Sequence, residues 1–230
     1  PKANDLCHCG SGRKYKACHR DIDGAHESTA QGEVGQGAVG FSAMAMLLTT
    51  AELRFPEALE EIDRVANRGN GDTLTLPWAL FHRAPKDTAT VAATLLYNRI
   101  GSPEVTAWIT AQTLSWISAW YIADISGGHF SCRDLITGEI RVSVRADPRI
   151  QGRLARGDVF VGRIVEFQDG AEIFGVGPQT LTLKEADQVV GAVRSSMRTA
   201  QVSPEMLRSH RGGSAVQRAW KSAARGRGPR

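Results

Sequence analysis

The sequence contains no apolar run of the roughly 18 residues that a membrane-spanning helix needs. Its first residues, Pro1 to Asp5, also lack the apolar core of a secretory signal peptide. From these two absences we expect a cytoplasmic protein. A glycine-rich phosphate loop, a serine nucleophile elbow and a zincin-type His-Glu helix are missing as well, which removes three common enzyme signatures.

Cysteine is scarce, and its distribution is uneven. Three of the four cysteines fall between residues 7 and 18, whereas Cys132 stands alone. In a reducing compartment, clustered cysteines are more often metal ligands than disulfides. The pattern therefore predicts a metal site near the N-terminus. For Cys132, which alternates with apolar neighbours, it predicts a small buried hydrophobic residue.

Acidic residues are rare at both ends of the chain. Residues 1–20 carry five basic residues and one acidic residue, and residues 201–230 carry seven and one. Because the whole chain has a net charge of +4, the intervening residues have a net charge of −6. Two basic ends around an acidic body suggest an acidic partner such as RNA or a ribosomal surface, although basic ends can also be merely solvated.

Hydrophobic periodicity predicts an α+β protein. Residues 113–178 are aromatic and β-branched, alternate with polar residues and are interrupted by glycine turns, which predicts a five-stranded antiparallel meander or small barrel. The predicted order is an N-terminal zinc module over 1–23, a flexible linker over 24–40, an α+β body over 41–200 and a basic, disordered tail over 201–230. Within the body we expect a small helical unit over 41–112, the β-rich region over 113–178 and a C-terminal helix over 183–197.

Several groups in the β-rich region could carry function, and each also has a structural interpretation. Asp134, Glu139 and Asp158 stand at predicted turns, where such residues usually bond their own backbone. The aromatic residues of this stretch could stack on bases, but their spacing favours a seam between the helical and β parts: Trp108, Trp116, Trp120 and Tyr121. Six arginines could form a basic barrel face: Arg141, Arg145, Arg149, Arg153, Arg156 and Arg163.

The clearest chemical signal is the set Cys7, Cys9, Cys18 and His19. Zinc takes four thiolate or imidazole ligands in a tetrahedron, and this donor set suits zinc among the available ions. Gly10 and Gly12 would allow the sharp turns that bring such closely spaced side chains to one ion. So short a segment cannot fold by hydrophobic burial alone, so zinc binding, on the order of 10 kcal/mol, would supply the folding energy. His8 is an alternative ligand.

The stretch from Cys7 to His19, Cys-His-Cys-Gly-Ser-Gly-Arg-Lys-Tyr-Lys-Ala-Cys-His, resembles the SEC-C motif. This family occurs at the C-terminus of the SecA translocase ATPase and in many bacterial proteins, and its pattern is Cys-x-Cys-Gly-Ser-Gly, a basic residue, Lys-Tyr-Lys and a closing Cys-Cys or Cys-His pair. The resemblance implies a structural zinc without an open coordination position, and a docking role. Here Leu6 and His8 replace the prolines that often flank the first cysteines, and the motif is N-terminal. The remainder resembles a domain of uncharacterised bacterial SEC-C proteins.

Together these features favour a zinc-dependent interaction or adapter protein of bacterial type over an enzyme. Its zinc module would dock on a protein, with a ribosome or RNA contacted through the basic ends. The partner-binding residues predicted at those ends are Arg13, Lys14, Lys16, Arg20, Arg218, Lys221, Arg225 and Arg227. The alternative is an enzyme acting on nucleic acid or protein that uses the zinc module as a targeting handle. No catalytic residue is predicted.

Overall fold

The structure, a computed structural model, describes residues 20–60, 74–84, 89–168 and 170–224, and only the backbone of 20–36 and 224. The chain divides into two compact units, residues 1–44 and 45–230. Helix α1, Arg20–Arg54, contains the boundary between them. Residues 24–40, for which the sequence predicts a flexible linker, lie within α1. Between their glycines stand alanine, glutamate and glutamine, which favour helix. None of the described helices is long and apolar enough to cross a bilayer.

Short helices precede the β-region. A helical stretch begins at Pro56, a residue suited to the first helical position. It is followed by α2 (Thr75–Phe81), α3 (Val91–Tyr97) and α4 (Pro103–Leu114). At the start of α4, Ser102 accepts a hydrogen bond from the amide of Val105 and Pro103 occupies the first turn, an arrangement that caps the helix. Helices α2 and α3 lie within the helical unit that the sequence predicts over residues 41–112.

Five strands form a closed barrel. They are β1 (Ile117–Ser126), β2 (His129–Asp134), β3 (Ile140–Ala146), β4 (Val159–Phe167) and β5 (Gly170–Val176), with helix α5 (Pro148–Gln151) between β3 and β4. Gly127 and Gly128 both have positive φ, as a tight two-residue hairpin requires. The α+β prediction and the small barrel are therefore correct.

The strand order is not that of a meander. Around the barrel it runs β1, β2, β3, β5, β4, and β3 pairs with β5 in parallel. The connection through α5 carries β4 away from β3 and places it beside β1. The prediction of a fully antiparallel sheet is corrected at this one pair. A parallel pair must be joined by a crossover rather than a tight turn, and the segment between β3 and β5 includes all of β4.

The barrel interior and the surrounding helices share one apolar core. Strand β4 is buried over seven consecutive residues, from Val159 to Val165, because α4 packs on it. Trp108 of α4 packs against Phe81 and Phe174, at ring-centroid distances of 6.2 and 5.6 Å. This contact makes the predicted seam between the helical and β parts.

Helices α6 (Leu183–Met197), α7 (Pro204–Arg208) and α8 (His210–Ala224) complete the fold. Helix α6 starts with a capping box between Thr182 and Glu185 and occupies the predicted range. The prediction of a disordered tail from residue 201 is corrected for 204–224. Helix α8 packs against α6 and β1, with Val216 and Trp220 buried, and burial of this apolar face outweighs the entropic cost of Gly212 and Gly213.

Candidate functional site

Asp134 lies at the end of β2 and is fully buried. One carboxylate oxygen accepts hydrogen bonds from the hydroxyl of Ser118 at 2.5 Å and from the amides of Ile136 and Thr137 at 2.8 and 3.1 Å. The other accepts the indole N–H of Trp116 at 2.7 Å. Four donors saturate this carboxylate, which confirms its interpretation as a turn residue.

The Trp116 ring lies near two guanidinium groups, those of Arg141 at 5.3 Å and Arg208 at 5.4 Å from its centroid. Arg141 also forms ion pairs with Glu139 at 2.7 Å and Glu166 at 2.8 Å. The ring is only 5% exposed, so no base could stack on it without rearrangement. Through the Trp116 ring these contacts connect the barrel to the end of α7.

The six arginines predicted to form a basic barrel face do not act as one group. Arg141 is ion-paired, Arg156 lies 3.9 Å from Asp124, and Arg153 donates to the carbonyl of Pro178 at 2.8 Å. Arg145 and Arg149 are exposed. Arg163 is fully buried and is not on a face at all, which corrects the prediction.

Arg163 projects from β4 beneath α4, where its guanidinium has neutral acceptors in place of a carboxylate. It donates to the side-chain oxygen of Gln112 at 3.0 Å, to the Gln112 carbonyl at 2.5 Å and to the hydroxyl of Ser115. The Phe81 ring lies 4.9 Å from the guanidinium carbon. Burial lowers the pKa of Arg163 to about 9. A buried cation held by neutral groups positions α4 on the barrel.

His82, just after α2, is buried beside this arginine. Its Nδ1 lies 3.2 Å from the carbonyl oxygen of Arg208, so Nδ1 carries the proton, and Nε2 has no partner among the described residues. Burial, followed by the charge of Arg163, lowers the pKa of His82 to about 3. The imidazole is therefore neutral at physiological pH and tethers the end of α2 to the end of α7.

The remaining candidate groups have structural environments. Cys132 is 1% exposed, and burial raises the pKa of its thiol to about 12, which confirms the prediction of a small buried residue. His129 is exposed at the β1–β2 hairpin, with Nδ1 3.0 Å from the carbonyl oxygen of Gly127. Asp158 accepts the amide of Ala155 at 2.9 Å, as expected for a turn residue.

The C-terminal helices carry exposed cations. Arg218 is exposed on α8 and Lys221 is half-buried, whereas Arg225 and Arg227 lie outside the described residues. Three further exposed arginines, Arg194, Arg198 and Arg211, were missed by the sequence reasoning. The available signal was helical spacing: Arg194 and Arg198 are one turn apart at the end of α6.

The predicted zinc ligands Cys7, Cys9, Cys18 and His19 lie outside the described residues, together with the alternative ligand His8. The predicted docking residues Arg13, Lys14 and Lys16 also lie outside them, and Arg20 is described only as the first residue of α1. In the ranges that the structure does describe, no three His, Cys, Asp or Glu side chains are grouped so as to hold a metal ion.

Comparison with protein families identifies the N-terminal segment, since the family described as SEC-C motif matches residues 4–21. This chain carries a SEC-C motif. The match includes all four predicted ligands of the SEC-C segment, residues 4–21. No curated protein and no solved structure matches the chain, so the resemblance of the remainder to bacterial SEC-C proteins stays a prediction.

Proposed function

We propose that this chain is a cytoplasmic, zinc-dependent adapter of bacterial type. The SEC-C segment binds one structural zinc ion and docks on a protein partner, and the body, residues 45–230, contacts a ribosome or RNA. The match of residues 4–21 to the SEC-C family carries the proposal. Division of the chain into two compact units supports it, because docking and binding would then each have a unit of the chain.

The donor chemistry of the SEC-C segment fits zinc. Three cysteine thiolates and one histidine would complete a tetrahedral site, leaving no position for a substrate. Zinc in such a site acts by stabilising the fold. Three thiolates, a neutral imidazole and Zn²⁺ carry one net negative charge, which Arg13, Lys14, Lys16 and Arg20 would offset. These same cations would contact an acidic partner.

The environments of the body's titratable groups favour binding over catalysis. A nucleophilic cysteine needs a lowered pKa, but burial raises that of Cys132. A general base needs a pKa near the working pH, but the pKa of His82 is about 3. The Asp134 carboxylate is occupied by four donors. Each of these groups therefore has a structural task.

The proposal is tested by measuring zinc in the purified full chain. We expect one zinc per chain in the wild type and well under one in Cys18→Ser, because three ligands hold zinc far more weakly than four. Cys132→Ala is the matched control, since it removes the cysteine outside the SEC-C segment and should leave the zinc content unchanged. Equal zinc contents in wild type and Cys18→Ser would refute the zinc site.

Docking is tested by capture from native bacterial lysate and by cosedimentation with ribosomes. Wild type should retain a protein partner that Cys18→Ser loses, while Cys132→Ala retains it. If Cys18→Ser captured the same partner with equal yield, the SEC-C segment would not be the docking element.

A further inference from the structure

Helices α6 and α8 pack side by side and present a surface rich in cations. We call it the cationic surface; it comprises Arg194, Arg198, Arg211, Arg218 and Lys221. Arg211 of α8 donates to the carbonyl of Ser196 in α6 at 2.8 Å, so the two helices meet near the end of α6. Arg194 and Arg198 lie at the same end of α6.

Little negative charge opposes these cations. Helix α8 contains no Asp or Glu, and Glu205 in α7 is ion-paired with Arg208 at 3.5 Å. The acidic residues of α6 lie in its first half: Glu185 belongs to the capping box, and Asp187 is exposed about two turns before Arg194. Among the residues that the structure describes, no ion pair involves any member of the cationic surface. Unpaired guanidinium groups concentrated on one surface attract anions, and phosphate suits them best because they can bind it through two parallel N–H groups.

An open cleft of about 510 Å³ adjoins the cationic surface at Arg194. The β2–β3 turn forms one wall through Ile136 and Thr137, and the segment from Ala200 to Pro204 forms the other. No acidic residue lines the cleft. Its walls combine apolar atoms with the polar side chains of Thr137 and Gln201, a mixture that can hold a flat heterocycle and bond to its edge.

The distribution of apolar side chains argues against a membrane as the anionic partner. A helix that lies on a membrane surface needs exposed large apolar residues beside its cations. On α6, α7 and α8 the exposed large apolar residue is Leu183, at the opposite end of α6 from Arg194. The apolar residues of α8, such as Val216 and Trp220, are buried against the body.

We infer that the cationic surface and its cleft bind single-stranded nucleic acid. The arginines hold consecutive phosphates, and the cleft beside Arg194 takes one unstacked base. A duplex keeps its bases stacked and cannot fill the cleft, so a single strand should bind more tightly than a duplex. This inference rests on the proposed function, which names RNA as a partner of the body. It adds the surface to which that RNA binds, which the proposed function does not specify.

The test measures binding of a short fluorescent single-stranded RNA to the full chain by anisotropy across a salt series. Each phosphate contact to a single strand contributes about 0.7 to the salt slope. We expect the double variant Arg194→Gln/Arg198→Gln to lower the slope by about 1.4 and to weaken binding about tenfold at physiological salt. Lys184→Gln is the matched control: it removes an exposed cation at the other end of α6 and should bind with a near-wild-type slope.

A second variant separates the cleft from the charges. Ala200→Trp places a large side chain at an exposed position in the cleft wall without altering charge. It should weaken single-strand binding and leave binding of a duplex RNA of the same sequence unchanged. Thermal unfolding of each variant shows whether the body is intact.

Three results would overturn the inference. Unchanged single-strand binding by both variants would do so while leaving the proposed function standing. Binding of the wild type to phosphatidylglycerol–phosphatidylcholine vesicles but not to RNA would move the partner to a membrane. If the wild type bound no RNA at all, the nucleic-acid part of the proposed function would fall as well, but its zinc-dependent docking would not.

Discussion

Mild acid should destabilise the body through His82. The unfolded chain binds a proton at this histidine with a pKa near 6.5, whereas burial and the charge of Arg163 lower the folded-state pKa to about 3. Between these two values the unfolded state holds the extra proton, so acid favours unfolding. Stability from this group is fully present above pH 6.5 and declines as the pH falls towards 3.

The size of the effect follows from that separation. Each pH unit inside the window changes the free energy of unfolding by about 1.4 kcal/mol. Between pH 7 and pH 5 the loss is about 2 kcal/mol, because the folded histidine stays neutral throughout while the unfolded one becomes protonated. Few carboxylates titrate above pH 5, so His82 should dominate this interval for the body.

Urea denaturation followed by tryptophan fluorescence measures this loss. All five tryptophans lie between residues 78 and 220, so the signal reports on the body. His82→Asn has no titratable group but keeps an N–H that can donate to the Arg208 carbonyl, and it should lose most of the 2 kcal/mol difference between pH 7 and pH 5. His129→Asn, at an exposed position, is the matched control and should behave as wild type. Equal acid sensitivity of wild type and His82→Asn would refute the reasoning.

Three further predictions concern stability. Asp134→Ala should lower the free energy of unfolding by about 3–5 kcal/mol, because it leaves the buried donors around Asp134, including the Trp116 indole, without an acceptor. Gly212→Ala should destabilise the body measurably, because a Cβ there would clash with the Met206 carbonyl oxygen, whereas Gly191→Ala, with open space around it, should stabilise by about 0.5–1 kcal/mol. Cys18→Ser should leave the urea midpoint of the body unchanged, because Cys18 belongs to the other compact unit.

The same denaturation assay checks all three. If Asp134→Ala lowered the free energy of unfolding by less than 1 kcal/mol, water would be accepting the hydrogen bonds that the carboxylate accepts in the wild type. Equal, small effects of Gly212→Ala and Gly191→Ala would indicate that α7 and α8 do not pack as described. A global loss of stability in Cys18→Ser would show that the two units fold together.

Local patterns were informative about secondary structure because strands and amphipathic helices repeat their own signals. Glycine turns indicated where strands end, and the helix predicted over 183–197 is α6, Leu183–Met197. The order of the strands could not be found in this way. Pairing of β3 with β5 joins residues that are distant in sequence, and neither strand carries a local mark of its neighbour.

Two predictions were wrong because tertiary packing overrides what the amino-acid composition indicates: the disordered tail over residues 204–224 and the surface position of Arg163. Residues 204–224 contain glycines and arginines typical of a disordered tail, yet Val216 and Trp220 lie four residues apart and share the buried side of α8. Arg163 looked like a surface cation, but α4 covers its strand and supplies acceptors from Gln112 and Ser115.

The sequence by itself determined the SEC-C segment and the five strands between residues 113 and 178, because motif spacing and strand alternation are local properties of the chain. Only the tertiary structure decided that β3 lies beside β5, that Arg163 is internal and that arginines from two helices share one surface beside a cleft. Those features depend on which distant segments pack together, and packing is decided by the burial of the whole core rather than by any one stretch of residues.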